Sequence, residues 1–323
     1  MRALVTGASG FIGGAVARTL VARGVEVRAL VRADAAVNMP ERGAVEVVAG
    51  DMRDPHSLAH AAEGCAAIFH VAGLYSFDAA PDELHAVNVE GTRNVLDVAQ
   101  ATGARVVFTS SISTIGGVRG GVIPDEHADG GAVSPGPYKA SKLRAERLVR
   151  ARAGRGVDAV IVNPTFPIGW GDIKPTPTGA MIRDFLRGAL PAYVETGMNV
   201  VDVDDVAEGH WLAFERGVCG ERYILGHANL MMRELLALLA EISGRKAPRV
   251  RLPYAVAFAL ALADAAIRPI RGRVRVPLEG VRTARELRFA TSARAVRELG
   301  LPQTPIRSAG EKAVRWFQQR RSR

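Results

Sequence analysis

Tyr138 and Lys142 stand four residues apart in Tyr138-Lys139-Ala140-Ser141-Lys142, just after Ser134-Pro135-Gly136-Pro137. A spacing of four puts both side chains on one helical face. An ammonium beside a phenol favours the phenolate. The pair therefore predicts a phenol lowered from its usual value of about 10 and able to exchange a proton near neutrality. An ordinary surface Tyr/Lys pair has the same spacing. A second group, Phe108-Thr109-Ser110-Ser111-Ile112-Ser113, closes a β-branched run, where open α/β sheets bind ligands. Ser111 is placed to polarise a substrate oxygen while Tyr138 exchanges the proton, and Ser113 is a candidate helper. Serines at strand ends also serve simply to satisfy backbone groups.

A third group opens the chain. Thr6-Gly7-Ala8-Ser9-Gly10-Phe11-Ile12-Gly13 sets glycines at 7, 10 and 13 between a strand pattern and a helical pattern. The first permits a tight turn, the second lets backbone approach a diphosphate, and the third lets helix and strand pack closely. The helix N-terminus offers free N–H groups. Dinucleotide binding follows, with Gly7, Ser9, Gly10, Phe11, Ile12 and Gly13 at the phosphates. An acidic residue about 20 positions on favours NAD, and an arginine accommodates the 2′-phosphate of NADP. Here the second strand ends Leu30-Val31-Arg32, so Arg32 favours NADP over NAD. A solvated loop arginine is the alternative, and Asp34 remains able to serve a ribose hydroxyl. Asp51 and Met52, after the third strand, are placed to meet an adenine amino group and flank its ring.

Positioning these groups requires alternating elements. Strand patterns at 3–6, 26–31, 45–49, 67–71, 105–109 and 159–162 are separated by segments long enough for crossover helices. A Rossmann-type, doubly wound parallel sheet follows. After Asn163-Pro164 a Pro- and Gly-rich stretch gives way to helices broken by short strands. The expected division is therefore a dinucleotide-binding domain over 1–163, with some later segments returning to it, and a smaller α+β substrate lobe mainly in 164–323. Helices are predicted near 206–215, 232–243, 255–267, 293–299 and 308–319. The run 252–267 is apolar nearly all round and reads as a helix buried in the small lobe.

Composition narrows the function. The chain has 323 residues, 48% hydrophobic and 23% charged, which is ordinary globular composition. Its two cysteines cannot form a disulfide framework, and no Cys/His cluster has metal-ligand spacing, so a cytosolic protein without a structural metal is expected. The first residues run straight into a strand with no visible leader, and no stretch reaches the roughly 20 apolar residues that span a bilayer. The net charge is +9, yet residues 245–323 carry nineteen Lys/Arg against five Asp/Glu. A solvated basic surface is one reading of this; attraction to an anionic membrane face or phosphorylated substrate is the other. Nucleic acid is not expected, because no aromatic platform or zinc spacing accompanies the charge.

Several motifs together carry a resemblance: the three glycines, His70-Val71-Ala72-Gly73, Asn88-Val89-Glu90-Gly91-Thr92, Ser111/Tyr138/Lys142, Asn163-Pro164 and Val203-Asp204-Asp205-Val206-Ala207. The chain resembles the extended short-chain dehydrogenase/reductases, in the NAD(P)-dependent epimerase/dehydratase and dihydroflavonol-reductase-like group. Asp172 to Gly179 and Pro191-Ala192-Tyr193-Val194 look like the hopanoid-associated sugar epimerases. The resemblance implies Ser111, Tyr138 and Lys142 as catalytic residues and Ala72 and Gly73 at the cofactor. It also implies Asn88 as a prop beside the site and the segment from Pro164 to Gly169 facing the nicotinamide, with Pro164 and Ile168 as cofactor contacts. A homodimer through the helices containing 83–101 and 138–151 is implied as well. His70 reads as a packed histidine, and Glu90, Asp204 and Asp205 as helix-start carboxylates.

Where the dehydratase branch has an Asp-Glu pair after its serine, Ile112 and Ser113 stand here, which disfavours elimination. Epimerisation through transient oxidation, of a sugar-like or lipid-linked polyol in hopanoid metabolism, and net reduction of a ketone or aldehyde both remain. A non-catalytic NADP-binding sensor is the alternative of another class. The substrate pocket is expected from 74–77, the loop 116–133, 166–178 and the small lobe, with Tyr75, Ser113, Phe166, Trp170, Lys174 and Thr176 as candidates. Trp170 departs from the family, where a proline is usual. The apolar helix beside Arg268, Arg271, Arg273 and Arg275 suggests peripheral contact with the inner membrane face.

Overall fold

The computed structural model describes residues 1–32, 43–76, 79–130, 136–271 and 278–320, without the side chains of 268–271. Asp34, part of the 116–133 loop, Ser134-Pro135 and the side chains of Arg268, Arg271, Arg273 and Arg275 therefore lie outside the described residues.

Seven strands form one sheet: β1 (Arg2–Thr6), β2 (Glu26–Val31), β3 (Val45–Ala49), β4 (Ala67–His70), β5 (Arg105–Thr109), β6 (Ala159–Pro164) and, much later, β10 (Arg222–Leu225). Their order is β10-β6-β5-β4-β1-β2-β3, and every neighbouring pair is parallel. The expected Rossmann-type sheet is the one observed. Chain order reverses between β1 and β4, the place where open α/β sheets form a ligand crevice beyond their strand ends. The central strands β4 and β6 are buried along their whole length, which is why they read as unbroken apolar runs.

Helices cover both faces. On one lie α1 (Phe11–Ala22) and α7 (Val203–Arg216), whose Val16, Leu20, Val203 and Val206 share a core with Val5 and Phe69 of the sheet. On the other, a continuous helix runs through α3 (Pro81–His85), a π-helical turn (Ala86–Glu90) and α4 (Gly91–Thr102), beside α5 (Pro137–Ala153). Glu90 is thus mid-helix, not at a helix start, and pairs with Arg93 and His85. Asp204 and Asp205 do sit in the first turn of α7, behind the N-cap Asp202.

The Pro/Gly-rich stretch hides order that proline-based reasoning misses. It contains β7 (Phe166–Ile168) and α6 (Pro177–Arg187), which begins with proline in its first turn under a Thr176 cap. In the small lobe, β9 (Gly197–Asp202) pairs with β7 and with β11 (Ala228–Met231), and β8 (Ala192–Val194) with β12 (Val250–Leu252). The helices α6, α8 (Met232–Ser243) and α11 (Ile306–Gln319) pack a separate core around Phe185, Leu235, Leu239 and Val314. β10 and α7 return to the large sheet, and α7 lies against α1.

The helix α9 (Tyr254–Arg271) departs from expectation. Ala257, Ala261 and Asp264 are buried against α10 (Leu278–Thr283), but Val256, Leu260 and Leu262 are 45%, 51% and 46% exposed. It is a half-covered surface helix, because only one narrow stripe finds a neighbour. Among the described residues no helix is long and apolar enough to cross a membrane, and no cluster of three His, Cys, Asp or Glu could hold a metal.

Candidate active site

Ser111 follows β5, and its hydroxyl accepts from the Ser113 amide at 3.1 Å, capping a short 3₁₀ turn over Ile112–Thr114. Tyr138 lies in the first turn of α5, which a proline starts, and its phenol hydrogen-bonds Ser111. The two reacting candidates therefore meet, although 26 residues of chain lie between them. Tyr75, from the loop after β4, packs its ring on that of Tyr138 with centroids 4.6 Å apart.

The electrostatics differ from the expectation drawn from spacing. Burial pushes the Tyr138 phenol well above its usual value, the nearby Tyr75 hydroxyl adds to this, and the Ser111 bond and Arg288 oppose it only partly. Lys142 is buried one turn further along α5, and its ammonium is not turned to the phenol. It donates to the Thr109 carbonyl at 2.8 Å, and burial lowers it to about 8, with Glu146 opposing. Desolvation outweighs the expected charge–charge help, so Tyr138 keeps its proton at neutral pH.

Two buried amides hold this arrangement. Asn88, in the π turn, accepts from the Leu74 amide at 2.7 Å, donates to the Leu74 carbonyl at 3.1 Å, and donates to Ser141 at 2.9 Å. Ser141 in turn donates to the Tyr138 carbonyl. The extra residue of the π turn aims Asn88 between the β4 loop and α5. Asn163, ending β6, donates to the Ser111 carbonyl, to Thr114 and to Glu146. Glu146 also accepts from Ser110 and pairs with Arg222 of β10 at 2.8 Å. Glu146 escaped sequence reasoning, yet 138, 142 and 146 form one stripe at helical spacing. His70 bonds Thr6 and Thr92 and is held near 3 by burial, a packed neutral ring as expected.

At the glycine turn the geometry is that of a cradle. Gly7 has φ +73°, and a Cβ there would lie 2.7 Å from the Ala72 backbone; one on Gly13 would lie 2.1 Å from the Gly7 carbonyl oxygen. Gly10 is exposed and caps α1 without a side-chain bond, so the first-turn N–H groups face outward. Ser9, Phe11 and Ile12 are partly exposed around it. Across the crevice, Gly73 lies close to Asn88 Oδ1 and Lys142 Nζ, which a Cβ there would meet at 3.3 and 3.5 Å. Arg32 is exposed at the end of β2, close enough to Asp51 to help hold its carboxyl down. The main cause there is the Arg53 guanidinium, which the Asp51 carboxylate binds through both oxygens. Met52 is buried under Gly91, its side chain part of the core rather than open to the crevice.

A cleft of about 200 Å³ opens beside Ser111 and Tyr138. Tyr75, Ser113, Phe166 and Thr176, expected around the substrate, line it, and so do Ile12 and Pro164, expected at the cofactor. Trp170, Lys174 and Ile168 do not. The Trp170 ring lies edge-on against Trp316, Lys174 points to solvent, and Ile168 is 2% exposed in the small-lobe core. Among the described residues of 116–133, none reaches the cleft wall. Sequence reasoning also missed Glu279, Thr283 and Arg288, which come from the far end of the chain. Arg288 is the most informative of these, because its Nε is buried with no partner within the described residues.

Known proteins similar to this chain share its family and fold. The family model described as NAD dependent epimerase/dehydratase family matches residues 3–226. A dihydroflavonol 4-reductase-like protein of Synechocystis sp. is 42% identical, over 97% of this chain and 94% of its own. Sterol demethylase protein B of Methylococcus capsulatus is 36% identical over 99% of both chains. Among solved structures, a nucleoside-diphosphate-sugar epimerase from Pseudomonas aeruginosa superposes with a TM-score of 0.81 at 25% identity, over 99% of this chain and 98% of its own.

Proposed function

The chain belongs to the NAD dependent epimerase/dehydratase family and is an NAD(P)-dependent epimerase or reductase, and within that class we propose net, NADP-dependent reduction of a lipophilic ketone or aldehyde. The observation that carries this is the protonated Tyr138 bonded to Ser111 at the edge of a largely apolar cleft. A protonated phenol bonded to Ser111 at the cleft edge is placed to donate to a carbonyl oxygen, the form that reduction needs. Two of the most similar relatives bear names of a reductase and of a sterol-processing protein, which supports a lipophilic carbonyl compound.

The residues at the glycine turn fit a dinucleotide: a side chain at Gly7 or Gly13 would strike the Ala72 or Gly7 backbone, so glycine there permits the tight turn that leaves the first-turn N–H groups of α1 free for a diphosphate. Gly7, Ser9, Gly10 and the first turn of α1 would hold the phosphates, Arg32 a 2′-phosphate, and Lys142 with Gly73 the nicotinamide end. When bound, the cofactor supplies a hydride. Ser111 and Tyr138 together hold the substrate oxygen: Ser111 donates a hydrogen bond to it, and Tyr138 delivers the proton that turns the developing alkoxide into an alcohol. Phe166, Ile112 and the cleft prolines exclude water. No carboxylate follows Ser111, so nothing next to it removes a carbon-bound proton for elimination.

Epimerisation of a sugar-like or lipid-linked polyol, with a place in hopanoid metabolism, is the second reading. Thr176, Thr178, Thr283 and Arg288 support it as a polar wall suited to several hydroxyls. Following NADPH absorbance against a panel of ketones and aldehydes separates the two, because epimerisation consumes no net NADPH. Tyr138→Phe is expected to lower turnover by about 100-fold or more, with NADPH affinity within about twofold by fluorescence titration. Unchanged turnover would overturn the assignment.

A further inference from the structure

The outward face of α9 carries Ala255, Val256, Ala259, Leu260, Leu262, Ala263, Ala265 and Ala266, all exposed and none polar. Their spacing repeats every three to four residues, so they form one continuous stripe. A helix normally turns its apolar stripe inward. Here Ala257, Ala261 and the buried Asp264 already occupy the inward stripe, against Val281 of α10. Val250, 55% exposed in the neighbouring β12, extends the apolar surface.

Positive charge surrounds it. Arg249, Arg251, Arg282 and Arg285 are exposed on the flanking segments, and Arg285 lies over the Tyr254 ring at the start of the helix. Between residues 245 and 285 the sequence has ten Lys/Arg and two Asp/Glu. One of those acids, Asp264, is buried, and the other, Glu279, lines the cleft and bonds Arg282. The surface is therefore apolar at its centre and cationic at its rim.

We propose that this face of α9 docks the protein onto an anionic lipid surface, with the alanine, valine and leucine side chains in the acyl boundary and the arginines at the headgroups. A second copy of the chain fits less well, because a two-fold contact here would bring the arginine rims of the two molecules together. The same small subdomain supplies Glu279 and Thr283 of α10 to the cleft wall, so docking sets the cleft close to the bilayer. An apolar substrate then reaches Ser111 and Tyr138 with little exposure to water. The docking itself does not rest on the proposed reaction.

Co-sedimentation of the full chain with vesicles tests this, using phosphatidylcholine alone or mixed equally with phosphatidylglycerol, at low and high salt. The protein is expected to pellet with the anionic vesicles at low salt, far less with phosphatidylcholine alone, and less as salt screens the arginines. Leu260→Glu with Leu262→Glu should weaken partitioning by about 10-fold or more while leaving the melting temperature, NADPH binding and turnover of a water-soluble carbonyl substrate in place. Arg249→Glu with Arg251→Glu should abolish the preference for anionic vesicles. Failure to pellet at low salt, or pelleting unaffected by either pair of substitutions, overturns the proposal. So does light scattering that shows the leucine substitutions converting a dimer to a monomer, which would make the face a self-interface. Either result leaves the assignment of Ser111 and Tyr138 standing.

Discussion

Replacing Lys142 by methionine keeps a stem of similar length and removes a buried charge. In the folded chain that ammonium is brought down from 10.5 to about 8, first by burial, with Glu146 opposing. The difference of about 2.5 units corresponds to roughly 3 kcal/mol, at about 1.4 kcal/mol per unit. The folded state bears this cost while Lys142 is protonated. Between pH 8 and 10.5 the unfolded chain still holds the proton and the folded chain has released it, so the unfolded state binds more protons and stability rises with pH. Below that window the cost is fully present. Methionine does not titrate; it also forfeits the bond to the Thr109 carbonyl, worth about 1.5–3 kcal/mol for a charged donor. Near pH 7 the two effects largely cancel. The distinguishing signal is the slope: wild type should gain up to about 3 kcal/mol on the variant between about pH 7 and about pH 10. Urea unfolding of both proteins across that range measures it, since titrations common to both cancel in the difference. A difference flat with pH would refute the reasoning and mean that water reaches the ammonium in the fold.

Two further outcomes follow from particular contacts. Asn88→Ala removes all three side-chain bonds and leaves both Leu74 backbone groups unpaired, so a loss of about 2–4 kcal/mol in stability is expected, together with a fall in kcat larger than any change in the KM for NADPH; thermal unfolding and steady-state kinetics check this. Arg32→Ala should raise the KM for NADPH by about 10-fold and leave that for NADH nearly unchanged, and equal effects on both would show that Arg32 does not read the 2′-phosphate.

The chemistry-bearing residues of the large domain were legible because their signals are local. Three glycines are required where backbone must pass backbone, and the contacts at Gly7 and Gly13 are set by their own turn. Strands buried on both faces, such as β4 and β6, announce themselves as apolar runs, and the β-branched runs of β2, β3 and β5 agree with the observed edges to the residue. Ser111 and Tyr138 were legible as types at marked positions, a strand end and a helix start. Their meeting is a tertiary fact, made by the pairing of β5 with β6 and by Asn88 and Asn163, which tie three segments together.

What sequence alone determined is the order of elements, the glycine turn and the candidate proton-handling groups, because each depends on neighbours within a few residues. The fold alone decided the charge state of those groups and the walls of the cleft. Spacing puts Lys142 near Tyr138 but cannot register how much water both lose, and desolvation outweighs the attraction between them. Arg288, Glu279 and Thr283 reach the site from more than a hundred residues away, and the outward stripe of α9 is exposed because nothing else in the described chain covers it. Periodicity reports that a face is apolar, whereas only packing decides whether protein or solvent meets it.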